Sequence, residues 1–164
     1  TTWTPIDKAA VGPGPGQHEP DKEQWADETT GYACLLKRGP SGALCGYVGV
    51  PEGHPWHGSG YWPGGSLEDG QELPPALKLL EGVEVHGGLT YADACQEGPE
   101  GETICHVAAP GEPEPLGWFG FDCAHAWDVC PKFERFAGDS VYRTAEYVKA
   151  ECAGLAKQAA AAAS

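Results

Sequence analysis

The densest run of reactive side chains is Gly120-Phe121-Asp122-Cys123-Ala124-His125-Ala126-Trp127-Asp128. It sets Asp122, His125 and Asp128 within seven residues, directly after a run that reads as a strand. An imidazole titrates near neutrality. A carboxylate beside it orients the ring and raises its basicity. Together they suit general acid–base catalysis. The plainer reading is an aspartate-capped turn in which His125 is a satisfied structural residue.

A second segment is His86-Gly87-Gly88-Leu89-Thr90. Glycine beside histidine lets backbone N–H groups approach an anion or a carbonyl. His86, Gly87, Gly88 and Thr90 are therefore candidate binding residues, and His86 is a second acid–base candidate. A Gly-Gly pair is otherwise a tight turn or a bulge. The third segment is Gly53-His54-Pro55-Trp56-His57, with Tyr61 and Trp62 close behind. Aromatic side chains on a loop offer stacking faces to a planar ring. His54, Trp56, Tyr61 and Trp62 are the candidates there, and an aromatic mini-core anchoring a long loop reads equally well. His18 and His106 read as structural.

His54, His86, Asp122, Cys123 and His125 are all of types that bind zinc. Their spacing matches neither HExxH nor paired CxxC, so metal and cofactor stay unassigned. No GxxxxGK[ST] loop, GxSxG elbow or GxGxxG turn occurs. P-loop nucleotide hydrolysis and serine-hydrolase chemistry are disfavoured accordingly.

These side chains need a scaffold. Tyr32–Leu36 and Leu44–Val50 read as strands joined through Gly39-Pro40-Ser41-Gly42, a hairpin. Val83–His86 alternates like a strand. Thr103–Ala108 and Leu116–Phe121 read as a last hairpin. Pro74 could open a short helical turn through Leu80. Val141, Ala145, Val148, Cys152, Leu155 and Ala159 step by helical intervals, which predicts a helix capped at Asp139 or Thr144. The expected fold is α+β, a mostly antiparallel sheet of four to six short strands packed by one C-terminal helix. Residues 1–28, with Gly12-Pro13-Gly14-Pro15-Gly16, read as an extended Pro/Gly-rich arm that only Trp3 or Trp25 could pin. Residues 29–158 form the domain, and 159–164 an Ala-rich tail.

Charge narrows the partners. Ten Lys+Arg face 24 Asp+Glu in 164 residues, a net charge of −14. That disfavours nucleic acid and anionic membrane surfaces. Glu52 to Asp122 holds thirteen acids and one base, Lys78. An anionic ligand would therefore rely on the C-terminal third: Lys132, Arg135, Arg143 or Lys149. No signal-peptide pattern opens the chain. The seven cysteines form no CxxC pair. They read mainly as buried thiols in a reducing cytoplasm, with a partial disulfide set as the rival.

Four stretches occur in one order: Cys45-Gly46-Tyr47-Val48-Gly49-Val50-Pro51 with Gly53-His54-Pro55; Val85-His86-Gly87-Gly88-Leu89-Thr90; Trp118-Phe119-Gly120-Phe121-Asp122-Cys123-Ala124-His125; and Tyr142-Arg143 with Glu146-Tyr147-Val148 and Glu151-Cys152. This pattern resembles a family of small hypothetical proteins of bacteriophages and bacterial genomes, over about residues 31–157. The resemblance implies a phage or bacterial origin and a shared site. It implies no reaction. Trp127 stands where the resemblance leads one to expect a smaller residue.

The first expectation is a phage-type accessory protein in the cytoplasm of a bacterial or infected cell. It would bind a small polar ligand, nucleotide-derived among the options, in a His/Asp/aromatic pocket that includes Arg143, and anti-defence sequestration is the role that would serve. A metal-dependent or His/Asp hydrolase is the alternative, with His125, Asp122, Asp128 and His86 as its catalytic set. A virion decoration protein is the third reading. Whether the chain forms a homo-oligomer stays open.

Overall fold

The computed structural model describes residues 1–59, 80–96, 98–104, 115–132 and 140–164. In chain order the elements are β1 (Thr2–Trp3), α1 (Lys8–Val11), a 3-10 turn (Pro15–Gln17), β2 (Lys22–Ala26), β3 (Ala33–Arg38), β4 (Leu44–Val50), β5 (Tyr91–Ala94), β6 (Gly117–Asp122) and α2 (Ala145–Ala163). The six strands form one sheet in the order β1-β2-β3-β4-β6-β5. Every neighbouring pair is antiparallel. The fold is the α+β arrangement expected from the sequence.

Side chains of successive strand residues point to opposite faces. Cys34 and Leu36 of β3, Leu44, Val48 and Val50 of β4, and Phe119 and Phe121 of β6 line one face. Against them lie Val148, Cys152, Leu155, Ala156 and Ala159 of α2. The opposite face gathers Leu35, Tyr47 and Trp118 with Ile104 and Leu116. Burying one such side chain stabilises the fold by about 1.5–3 kcal/mol. Gly46 allows the close layer contact: a β-carbon there would come within 2.9 Å of the Cys152 Sγ and closer still to the Phe121 ring.

α2 begins where Thr144 accepts a hydrogen bond at its hydroxyl from the Tyr147 N–H, at 3.2 Å. Val141, first of the expected stripe, lies outside the helix and is 52% exposed. Asp139, the rival cap, lies outside the described residues. Ala159, the last of that stripe and the first residue of the expected tail, is fully buried, and the helix runs on to Ala163.

Three expectations are corrected. Residues 1–28 supply β1, α1 and β2, and Gln24 pairs with Leu35 in the ladder. Paired polar groups hold this segment in place. Buried Arg38 donates to Asp21 (2.9 Å), Gly42 O (2.8 Å), Tyr142 OH (3.0 Å), Gly16 O and Pro20 O. Lys8 adds a 2.7 Å ion pair to Asp21. Buried Lys22 donates to Glu100 O and lies over the Trp3 ring. Second, Val83–His86 is not a strand. Its backbone is served by helix side chains: Glu84 N–H donates to Gln158 Oε1 (2.8 Å), and His86 N–H donates to Glu151 Oε2 (3.2 Å). Third, β6 pairs with β5 on one side and β4 on the other. Residues 105–108 of the expected last hairpin, and the turn at Pro74, lie outside the described residues.

Cys34, Cys123 and Cys152 are buried free thiols, and Cys45 and Cys130 are half-buried free thiols. Cys95 is disulfide-bonded. No helix among the described residues is long and apolar enough to cross a membrane.

Candidate functional site

The chain leaves β6 at Asp122 and makes a tight turn, in which Asp128 N–H donates to His125 O at 2.9 Å. The turn folds the Asp128 carboxylate back beneath His125. Its Oδ2 accepts from the His125 N–H (3.1 Å) and from His125 Nδ1 (3.1 Å). His86 arrives from a separate turn, closed by Gly88 N–H donating to Val85 O at 2.8 Å. Its Nε2 lies 2.8 Å from the same Oδ2. One carboxylate oxygen thus gathers two imidazoles.

Each member of the cluster is held from behind. The Tyr147 hydroxyl, in the first turn of α2, is 2.8 Å from His86 Nδ1. Arg143 Nε donates to Asp128 Oδ1 at 2.9 Å, and its guanidinium lies over the Tyr147 ring. Trp127 stacks on His125 with ring centroids 5.0 Å apart and planes 6° from parallel. The His125 ring itself rests on Gly87, which has φ +66°. Glycine adopts that backbone without steric cost.

The Asp128 side chain is fully buried. Burial pushes its pKa up, but hydrogen bonds from His86, Arg143 and His125 outweigh this and hold it below the ordinary carboxylate value. Asp128 is therefore a fixed anion. Burial and the neighbouring Glu151 carboxylate push the Tyr147 hydroxyl up, so it stays protonated. Burial, then Asp128, push the Cys123 thiol up, so it is no thiolate nucleophile.

Ligand-type atoms of His86, His125 and Asp128 all lie within 4.8 Å of one another. Zinc and similar ions take this donor set. Such sites usually have a partner behind each ligand. Here Tyr147 stands behind His86 and Arg143 behind Asp128.

The sequence-derived candidates divide. His86, His125, Asp128 and Arg143 come together. Asp122 sits at the rim, 3.7 Å from His125 Nδ1, and caps the turn by accepting from Ala124 N–H. Gly87 packs under His125, but Gly88 serves the turn and Thr90 N–H donates to Gly120 O. Two members of the aromatic loop are corrected. Trp56 is buried in the core. Buried His54 has both ring nitrogens engaged, Nε2 with Ala159 O (2.8 Å) and Nδ1 with Trp56 N–H (3.0 Å). The mini-core reading holds for these two. Tyr61 and Trp62 lie outside the described residues. Lys149 pairs with Glu23 at 2.6 Å, away from the cluster.

Sequence reasoning assigned no site role to Tyr147, Glu151 or Trp127. Tyr147 and Glu151 are one helical turn apart, so they share a face beside the buried stripe. That spacing was the available signal. No family model, curated protein or solved structure matches this chain.

Proposed function

We propose that the protein is a metal-dependent hydrolase of a small polar substrate, with His86, His125 and Asp128 as the ligands of one divalent ion. The observation that carries this reading is the convergence of those three donor groups, each already oriented. Local charge supports it. Among the described residues, Asp122, Asp128 and Glu151 surround the cluster and Arg143 is the cation there, which suits a cation in preference to an anion. A bound divalent ion acidifies a water and polarises a carbonyl or phosphoryl oxygen. Tyr147 fixes the His86 ring, and Arg143 fixes the Asp128 carboxylate.

A second reading has its own support. His125 Nδ1 rests on Asp128, and its Nε2 has no hydrogen-bond partner among the described residues. That is the posture of a general base that needs no ion. The ligand-holding role expected from the sequence is the limit in which neither form turns over. The free thiols fit a cytoplasmic setting, against which the Cys95 disulfide stands.

Metal analysis of the purified protein, with titration of zinc, manganese and cobalt, tests the proposal. We expect about one ion per chain, lost in His86→Ala and His125→Ala and kept in Asp122→Asn. A wild-type protein that binds no ion overturns it. Turnover that survives chelation but not His125→Ala selects the ion-free base.

A further inference from the structure

Two large apolar side chains are exposed among the described residues, Trp127 and Val141, each 52%. Both lie at the rim of the His86–Asp128–His125 cluster. They are tied together, since Val141 N–H donates to Trp127 O at 3.1 Å. A scattered exposed hydrophobe is ordinary, but a pair confined to the edge of a polar cluster marks a contact surface. The indole is rigid as well as exposed, because its stacking on His125 fixes its plane.

Arg143 follows two residues after Val141. Its Nε is committed to Asp128, and its guanidinium carbon lies over the Tyr147 ring. The two terminal nitrogens have no hydrogen-bond partner among the described residues. A guanidinium held in this way presents a fork matched to a phosphate or carboxylate. Asp122, Asp128 and Glu151 would oppose an anion at the bare cluster. A divalent ion on His86, His125 and Asp128 balances them and removes that opposition.

We infer that the substrate joins a planar ring to an anionic group, the chemistry of a nucleoside monophosphate, with its ring on the exposed part of Trp127 and its anion on Arg143. This rests on the metal-site reading above, which supplies the balancing charge. The stacking face is Trp127 and not Trp56, whose indole is spent in the core.

Calorimetric titration with AMP, adenosine and ribose 5-phosphate separates ring from anion. The ion content is measured on the same samples. AMP is expected to bind about tenfold tighter than either part, the size of one stacking contact. In samples of equal ion content, Trp127→Ala should lose that gain and leave ribose 5-phosphate unchanged, and Trp127→Phe should keep most of it. Arg143→Gln should weaken AMP and leave adenosine unchanged. If Arg143→Gln fails to fold, the exposed Trp127 variants still decide. AMP binding no tighter than its parts, or unaffected by Trp127→Ala, overturns the inference. Should that occur with the ion present, the metal reading stands alone. Discrimination in favour of AMP by protein that binds no ion overturns the metal reading and the charge balance drawn from it, and leaves the Trp127 and Arg143 contacts as the part that stands.

Discussion

The imidazole of His125 fills the space that a side chain on Gly87 would need. A β-carbon there would lie 2.1 Å from Cε1 and 2.3 Å from Nε2. Gly88, with φ +83°, has nothing within 4 Å of the equivalent position. The two glycines therefore separate crowding from backbone strain. Gly88→Ala should cost about 1–2 kcal/mol of stability, the left-handed penalty alone, and leave ion binding intact. Gly87→Ala should pay the same penalty and also displace His125, abolishing ion binding at micromolar concentration. Thermal melts and ion titration of both variants check this. Equal behaviour of the two would sink the crowding argument.

Tyr147→Phe removes the hydroxyl that meets His86 Nδ1 and keeps the ring beneath Arg143. Loss of such an outer partner typically weakens metal affinity about 10–100-fold. Stability should change by about 1 kcal/mol or less, since one part-buried hydrogen bond is lost. Competition against a chelator of known affinity reads the first number, and chemical denaturation reads the second.

Asp21 gives the fold an acid limit. Burial pushes its pKa up, but hydrogen bonds from Lys8 and Arg38 outweigh this and leave it below the ordinary value. Glu19 and the Tyr142 hydroxyl complete the charged and polar surroundings of Arg38. A lowered carboxylate stabilises fully above the unfolded value, about 3.9, and loses that contribution as pH falls through the folded value. Asp21→Asn should therefore melt below wild type near neutral pH, and the gap should close below about pH 4. A gap independent of pH would mean that the carboxylate charge does not hold residues 1–28 to the sheet.

The buried thiols should resist modification. Burial, then Asp27, pushes Cys34 up to about 12, and burial holds Cys152 well above the ordinary value. Cys45 is pushed up to about 11, by burial and then by Asp122. In native protein at pH 8, iodoacetamide should label Cys130 first, label Cys45 slowly, and spare Cys34, Cys123 and Cys152 until unfolding. Cys95 should react only after reduction. Peptide mapping over time checks the order, and early labelling of Cys152 would contradict a closed interface between α2 and the sheet.

Elements that depend on local pattern were legible in the sequence. β4 spans the residues of its apolar run, the β3–β4 hairpin turns at the Gly/Pro pair, and α2 buries Val148, Cys152, Leu155 and Ala159 at the intervals that named them. The Asp128–His125 contact was legible for the same reason, as a turn closes it within three residues.

The rest depends on groups far apart in the chain. His86 reaches Asp128 across 42 positions, and Tyr147 reaches His86 across 61. Nothing in either local segment encodes the meeting. Polar residues misled for a related reason. Lys22 and Arg38 look like surface residues, but each is buried because partners elsewhere replace its water. The Pro/Gly composition of residues 1–28 describes how that backbone bends, and not what it docks against. The aromatic loop shows the converse, for the sequence names Trp56 as a stacking group but only packing decides which surface uses it. By itself the sequence determined the α+β class, the β3–β4 hairpin and the helix, because side-chain periodicity is a local property. The tertiary structure decided which histidines share a carboxylate and which aromatic stays exposed, because contact and burial are properties of the closed chain.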